Sequence, residues 1–244
     1  MVARALRIME TLDTSRRGLN ISEISRKLGI PKSSTHVIVL TLEELDYVHK
    51  SPSTRRYTLG LKAYGLGQAM MKSFSMAETA KPVMRKLVEL TDLTSHLAVL
   101  DKDQAVCVQK VEQPGLIQFD TNVGRRMDLH CTGVGKVILA YGGDELLRDF
   151  LSKKAFMRHT NNTITSSKAL RDEALKIRRQ GYALDDQEEE LEVRCVAVPI
   201  FNRDHEFAGA LSVTGTTGQV PLSRVRSLVR NLRETALLIY GVPS

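Results

Sequence analysis

The residues best equipped for chemistry fall in three stretches of the second half of the chain: HCTGVGK (130–136), DDQEEE (185–190) with VRCVAVPIF (193–201) behind it, and LSVTG (211–215). Ser212 and Thr214 lie two apart in a strand-like run, so both hydroxyls face one side. Gly133 to Gly135 open a helical pattern, and free amides at a helix start can hold a carboxylate at the positive end of the dipole. An ordinary helix start after a strand is the plainer reading. A phosphate loop is excluded, because the Gly six positions before the Lys and the Ser or Thr after it are replaced by His130 and Val137. The acidic run reads as a solvated loop from which a single carboxylate turns inward.

Cys195, His130 and Asp185 are the types of a nucleophilic Cys-His-Asp site, but no spacing places them in contact, and Cys195 reads more plainly as a small apolar wall residue. His130, Cys131 and Cys195 lack zinc-ligand spacing. No metal and no cofactor is therefore expected.

A chain of 244 residues with 42% hydrophobic content suffices for two packed domains and argues against disorder. Residues 1–65 hold 11 Lys and Arg against 6 Asp and Glu, so +5 of the +7 net charge lies in the first quarter, which points to a polyanion partner. Three cysteines without a CxxC pair fit a reducing cytoplasm. Arg4, Arg7 and Glu10 break any apolar leader, and no run approaches the ~18 apolar residues of a membrane span.

Apolar spacing predicts a helix over 2–13, a short second helix capped by Asn20 with Glu23 in capping-box position and ended by Gly29, and a third helix opened by Pro31. Thr35, Ile38, Val39, Leu42 and Leu45 form the expected inward stripe of the third helix, and Lys32, Ser33, His36, Val37 and Leu40 face outward. Two short strands, 48–50 and 56–59, flank a Ser-Pro-Ser-Thr turn. This is the outline of a winged helix-turn-helix over 1–60. A connecting helix over 61–75 follows, and a second domain over 76–244. There, helices are expected at 77–91, 132–142, 144–152, 167–180 and 221–240, and strands at 95–101, 104–112, 116–122, 193–201 and 207–215. A third helix of this kind enters the major groove, with Lys32, Ser33 and Ser34 at phosphates and base edges and His36 and Val37 one turn on. Arg26 and Lys27 would meet the backbone, and Arg55 and Arg56 on the wing would reach phosphate or minor groove.

The segments ARALRIMETL, LNISEISRKLGIPKSSTHVIVLTLEELDYV, LHCTGVGKVILA and GYALDDQEEELEVRCVAVPIF…GALSVTG resemble the IclR family of bacterial transcriptional regulators along almost the whole chain. The resemblance implies an α+β protein, in which a linker helix joins the winged helix to a GAF-like antiparallel-sheet domain. It implies dimers or tetramers on palindromic double-stranded operators. It also implies a small carboxylate effector at Gly133, Val134, Asp185, Cys195, Ser212 and Thr214, the positions already singled out on chemical grounds. Three positions depart from the family pattern: Val37 where Arg is frequent, Arg55 for the wing Gly, and Glu192 for a Gly before Cys195. The reading is a cytoplasmic repressor controlled by an organic acid, not an enzyme. An activator of aromatic-acid catabolism is the alternative, and a Cys195-dependent enzyme the remote rival.

Overall fold

The computed structural model describes residues 1–15, 17–73, 75–115, 119–152 and 156–240. The chain divides into two compact units, Met1–Ser73 and Phe74–Ser244.

In the first unit, α1 (Val2–Asp13), α2 (Ile21–Leu28) and α3 (Lys32–Glu44) enclose a core of Ile8, Leu12, Leu19, Ile24, Ile38, Val39, Leu42, Val48 and Tyr57. Local chemistry sets the turn between α2 and α3. Asn20 accepts from the Glu23 amide at 2.9 Å while the Glu23 carboxylate accepts from the Asn20 amide at 2.8 Å, closing a capping box. Gly29 then takes φ +63°, the left-handed conformation that ends the helix at little cost. Pro31 stands as the cap of α3, one position earlier than a first-turn residue. The wing is the antiparallel pair β1 (Val48–Lys50) and β2 (Tyr57–Leu59), with Val48 opposite Leu59. Leu45, expected inward, is 47% exposed; α3 stops at Glu44, so Leu45 leaves the helical stripe. Helix α4 (Leu61–Ser73) completes the unit.

The second unit is one antiparallel sheet covered on both faces. Its strands are β3 (Thr94–Asp101), β4 (Gln104–Val111), β5 (Arg126–Met127), β6 (Ala183–Asp186), β7 (Val193–Phe201) and β8 (Phe207–Thr216), in the order β5-β4-β3-β8-β7-β6. Helix α5 (Ser75–Thr91) packs on β3 and β4, and α9 (Val225–Ile239), entered through a 3-10 turn, packs on β7 and β8. Across the sheet, α6 (Gly133–Tyr141) lies on small side chains: Ala98, Ala105, Ala183, Ala197 and Ala210 join Val134, Val137 and Ile138 in one core. Helices α7 (Asp144–Leu151) and α8 (Ser167–Gln180) finish that core through Leu147, Phe150, Leu170 and Ile177.

Three expectations need correction. The strand read over 116–122 falls partly on 116–118, outside the described residues; Phe119–Asn122 form no strand, and the pairing with β4 is made by Arg126–Met127 instead. Residues 183–186, taken as loop at their acidic end, are an edge strand, Asp185 opposite Cys195. Two carboxylates of the acidic run turn inward, not one: Asp185 is 4% exposed and Glu188 6%.

Candidate functional site

Two adjacent rungs of the sheet build the site. Directly opposed residues share a face. Asp185 on β6 faces Cys195 on β7, which faces Thr214 on β8. Two residues along, Ala197 faces Ser212, and Ser212 faces His96 on β3. Above these rungs stands the N-terminus of α6. A Cβ on Gly133 would lie 2.9 Å from the Cys195 sulfur, and one on Gly135 2.3 Å from the Asp128 carbonyl, so only glycine lets the helix descend this far. Thr132 accepts the Gly135 amide at 3.0 Å. Gly133 and Val134 carry the first two amides of α6, which no helical carbonyl can reach.

The space between helix and sheet is a cavity of about 400 Å³. Gly133, Val134, Asp185, Cys195, Ser212 and Thr214 all line it, so the six residues picked out in the sequence meet at one place. Sequence reasoning missed His96, Thr121, Arg125, His159 and Glu189, which line the same cavity. Arg125 supplies a cation there, with Glu189 at 3.6 Å. Arg125 stands in a loop without periodicity, where no sequence signal aims it. His96, in alternating register with the apolar Leu97, carried the same face signal as Ser212 and Thr214.

Burial sets the protonation of the cavity. His96 is pressed down to about 3, first by desolvation and then by Lys110 and Arg125, so it is neutral. Its Nε2 meets the Thr121 hydroxyl at 2.7 Å and its Nδ1 the Thr214 hydroxyl at 3.5 Å, one nitrogen donating and the other accepting. Asp185 is raised to about 7 by burial, with the charges of Glu188 and Glu189 adding, against the Glu188 amide and Lys136. The Cys195 thiol is pushed up to about 12 by burial and by Asp185, although hydrogen bonding to Thr214 and Ser212 opposes this. A thiol held protonated is no nucleophile. The third member of the supposed site, His130, bonds the Met157 carbonyl through Nε2 at 2.8 Å and stacks on Phe156.

Behind the cavity wall, the Lys136 ammonium is buried at 1% exposure. It donates to the Leu184 carbonyl at 2.6 Å and to Glu188, with Glu173 at 3.7 Å. Glu188 donates its amide to Asp185 at 2.8 Å. Lys136 therefore anchors the acidic stretch that carries Asp185, a role its apolar flanks gave no hint of.

In the first unit, Arg26, Lys27, Lys32, Ser33, His36, Val37 and Arg55 are exposed, and Ser34 is half-buried. Lys32 to Val37 occupy the start and outer face of α3. Arg55 has φ +54°, the conformation that a wing Gly would take freely. Arg56 is committed elsewhere: its guanidinium grips Glu23 at 2.7 and 2.9 Å and the Gly18 carbonyl at 3.0 Å, tying wing to helix α2. Val37 also borders an apolar groove formed with Val2, Ala5, Leu6, Met9 and Leu45.

A winged helix-turn-helix followed by a helix-covered sheet with a polar cavity defines a ligand-sensing DNA-binding protein. The family model described as "Bacterial transcriptional regulator IclR C-terminal" matches residues 68–240, and the model described as "IclR helix-turn-helix domain" matches residues 1–52. The chain belongs to the IclR family of bacterial transcriptional regulators, and is a DNA-binding regulator rather than an enzyme. The HTH-type transcriptional regulator XynR of Escherichia coli is 32% identical over 238 residues, 98% of this chain and 94% of its own. The acetate operon repressor of Salmonella typhimurium is 28% identical over 98% of this chain and 89% of its own. The fold is shared with an IclR homologue of Microbacterium hydrocarbonoxydans solved with 4-hydroxybenzoate, at a TM-score of 0.86 and 24% identity over 98% and 97% of the two chains. No described helix is long and apolar enough to cross a membrane.

Proposed function

We propose that the protein is a cytoplasmic repressor whose hold on palindromic operator DNA is set by a small carboxylate in the cavity between α6 and the sheet. The observation that carries this reading is the convergence, in one space, of the Gly133 and Val134 amides, the Ser212 and Thr214 hydroxyls and Arg125, all suited to an anion. Asp185, when protonated, donates rather than repels. The repressor named among the relatives, and the acid bound in the Microbacterium homologue, support the same choice. DNA is read by Lys32, Ser33, Ser34, His36 and Val37 from α3, with Arg26, Lys27 and Arg55 on phosphates. Arg56 drops from the contact set, because its guanidinium already holds Glu23. Two copies are needed for two half-sites, and the exposed apolar groove along α1 and α3 is the surface this reading gives to their pairing.

The test is fluorescence anisotropy of the protein on DNA from upstream of its own gene, titrated with 4-hydroxybenzoate and with aliphatic hydroxy acids. A carboxylate that shifts DNA affinity in the wild type and not in a Ser212→Ala, Thr214→Val variant supports the reading. Equal response of both proteins overturns the cavity assignment. Tighter DNA binding with ligand makes the protein ligand-requiring rather than ligand-released.

A further inference from the structure

A second constellation sits beside the cavity, on the approach to α6. Asp128, His130, Cys131 and His159 each present one metal-ligating atom, and all four atoms lie within 4.8 Å of one another. Sequence spacing hid this set. Three members are close in the chain, but the fourth comes from 28 residues on, and Cys195, the more obvious partner, belongs to the sheet rung instead.

The geometry points to a tetrahedral site for a divalent transition metal of zinc type, bound by two imidazoles, one thiolate and one carboxylate. Ligands at ~2.0–2.3 Å from such an ion stand roughly 3.3–3.8 Å apart, so closing the set takes about an ångström of side-chain movement. The charges match, since one thiolate and one carboxylate neutralise a dication. His130 has one ring nitrogen fixed by a backbone carbonyl. Its Nε2 faces the Met157 carbonyl at 2.8 Å, and a carbonyl only accepts, so Nε2 carries the proton and Nδ1 the lone pair. That carbonyl is the outer partner which fixes tautomer and ring orientation in metal-bound histidines. His130 and Cys131 are buried at 3% and 0%, while the side chains of His159 and Asp128 are 28% and 39% exposed, so the set has a rigid inner half and an open outer half. An ion enters from the outer side, and His159 also lines the cavity, which places the metal in the cavity's wall.

Binding needs no redox partner. Two metal–nitrogen bonds, one metal–sulfur and one metal–oxygen bond form, and the Cys131 thiol proton leaves to solvent. The hydrogen bond between His159 Nε2 and Asp128 Oδ2, now 2.9 Å, is broken, and in a neutral His159 the ring proton moves to Nδ1. Burial and nearby carboxylates raise the Cys131 thiol, a bias that a bound dication reverses by supplying the opposite charge.

The experiment uses untagged, chelator-treated full-length protein titrated with Co²⁺ and then Zn²⁺. The expected result is one Co²⁺ per chain, with intense visible bands of tetrahedral cobalt and a near-ultraviolet thiolate-to-cobalt band, all bleached by Zn²⁺. Cys131→Ser should remove the thiolate band, and Cys195→Ser should keep it. Because Cys131 is buried, His159→Ala on the open side provides the second arm. Outer-shell partners alone change metal affinity 10–100-fold, so loss of this ligand should weaken Zn²⁺ binding by at least about tenfold. Zn²⁺ should also raise the melting temperature of the wild type more than that of His159→Ala. A wild type with no thiolate band, or a His159→Ala variant binding Zn²⁺ as tightly as the wild type, overturns the site.

Discussion

At the scale of single residues, the cavity depends on hydroxyls and one tuned carboxyl. Losing a hydrogen bond to a charged group costs ~1.5–3 kcal/mol, roughly ten- to a hundredfold in affinity. Ser212→Ala with Thr214→Val should therefore lose at least that much carboxylate affinity by calorimetry, with circular dichroism checking that the fold is kept. Asp185 adds a pH dependence whose sign is fixed by its direction of shift. Its folded value is raised to about 7 from an ordinary 3.8, so between those values the folded state holds a proton that the unfolded chain has released. Its contribution to stability accordingly falls as pH rises from about 4 to 7. On the proposed function, carboxylate binding should follow the same proton, because a charged Asp185 would repel the ligand. Affinity should drop by up to about tenfold per pH unit above 7. An Asp185→Asn variant, which cannot ionise, should give a flat profile from pH 6 to 9; the same slope in both proteins would place the titrating group elsewhere.

At the scale of elements, buried pairing and strained turns decide what the helices and strands can carry. Lys136 and Glu188 form a buried ion pair that holds the Leu184–Glu188 segment against α6. Removing one partner strands the other charge at a cost of about 3–5 kcal/mol, whereas replacing both with apolar groups is often near neutral. Lys136→Met should lower the unfolding free energy by that amount in urea titration, and Lys136→Met with Glu188→Met should recover most of it. Glu192, where the family pattern has Gly, takes φ +62°. A left-handed non-glycine costs ~1–2 kcal/mol, partly offset by the entropy glycine brings to the unfolded chain. Glu192→Gly should hence stabilise the domain by up to about 1 kcal/mol, or roughly 2–4 °C in melting temperature. These elements also show what sequence can reveal. Helices α2 and α8 were legible to within a residue or two because caps and apolar periodicity agree locally: Asn20 and Gly29 bracket α2, and Gly181 ends α8 at φ +76°; α1, without a side-chain cap, was legible from periodicity alone. Ser212 and Thr214 were legible because strand alternation alone fixes their common face. The inward turn of Glu188 was not, since it depends on Lys136, 52 residues away. Nor was β6, whose second half is acidic and whose place at the sheet edge is set by pairing with β7. Arg125 and the Asp128–His159 grouping were hidden for the same reason: loops that meet only after folding carry no periodic signal.

At the scale of the whole molecule, the question is how one small basic unit reads a long site. On the proposed contact set, with Lys32 reaching a phosphate as well as the bases, Arg26, Lys27, Lys32 and Arg55 would give about four phosphate contacts per copy, so two copies should show a salt slope near −7 in log–log form. A slope near half that value would mean that one copy binds alone. The proposed pairing of copies needs a surface able to meet its own two-fold image. Leu6 is 55% exposed, Val2 75% and Leu45 47%, and all three border the groove between α1 and α3. A charge placed there is desolvated on association without a partner, while the folded unit alone leaves it in water. Leu6→Glu should therefore yield a well-folded protein of lower mass in sedimentation. Linking two modules raises apparent affinity by 10²–10⁴ through effective concentration, so the variant should lose at least about a hundredfold on a full palindrome. On a single half-site it should lose far less, because the substitution lies on α1 and leaves every α3 side chain in place. If Leu6→Glu sediments as the wild type does and keeps full affinity for the palindrome, the groove is not the seam and the copies meet through another face.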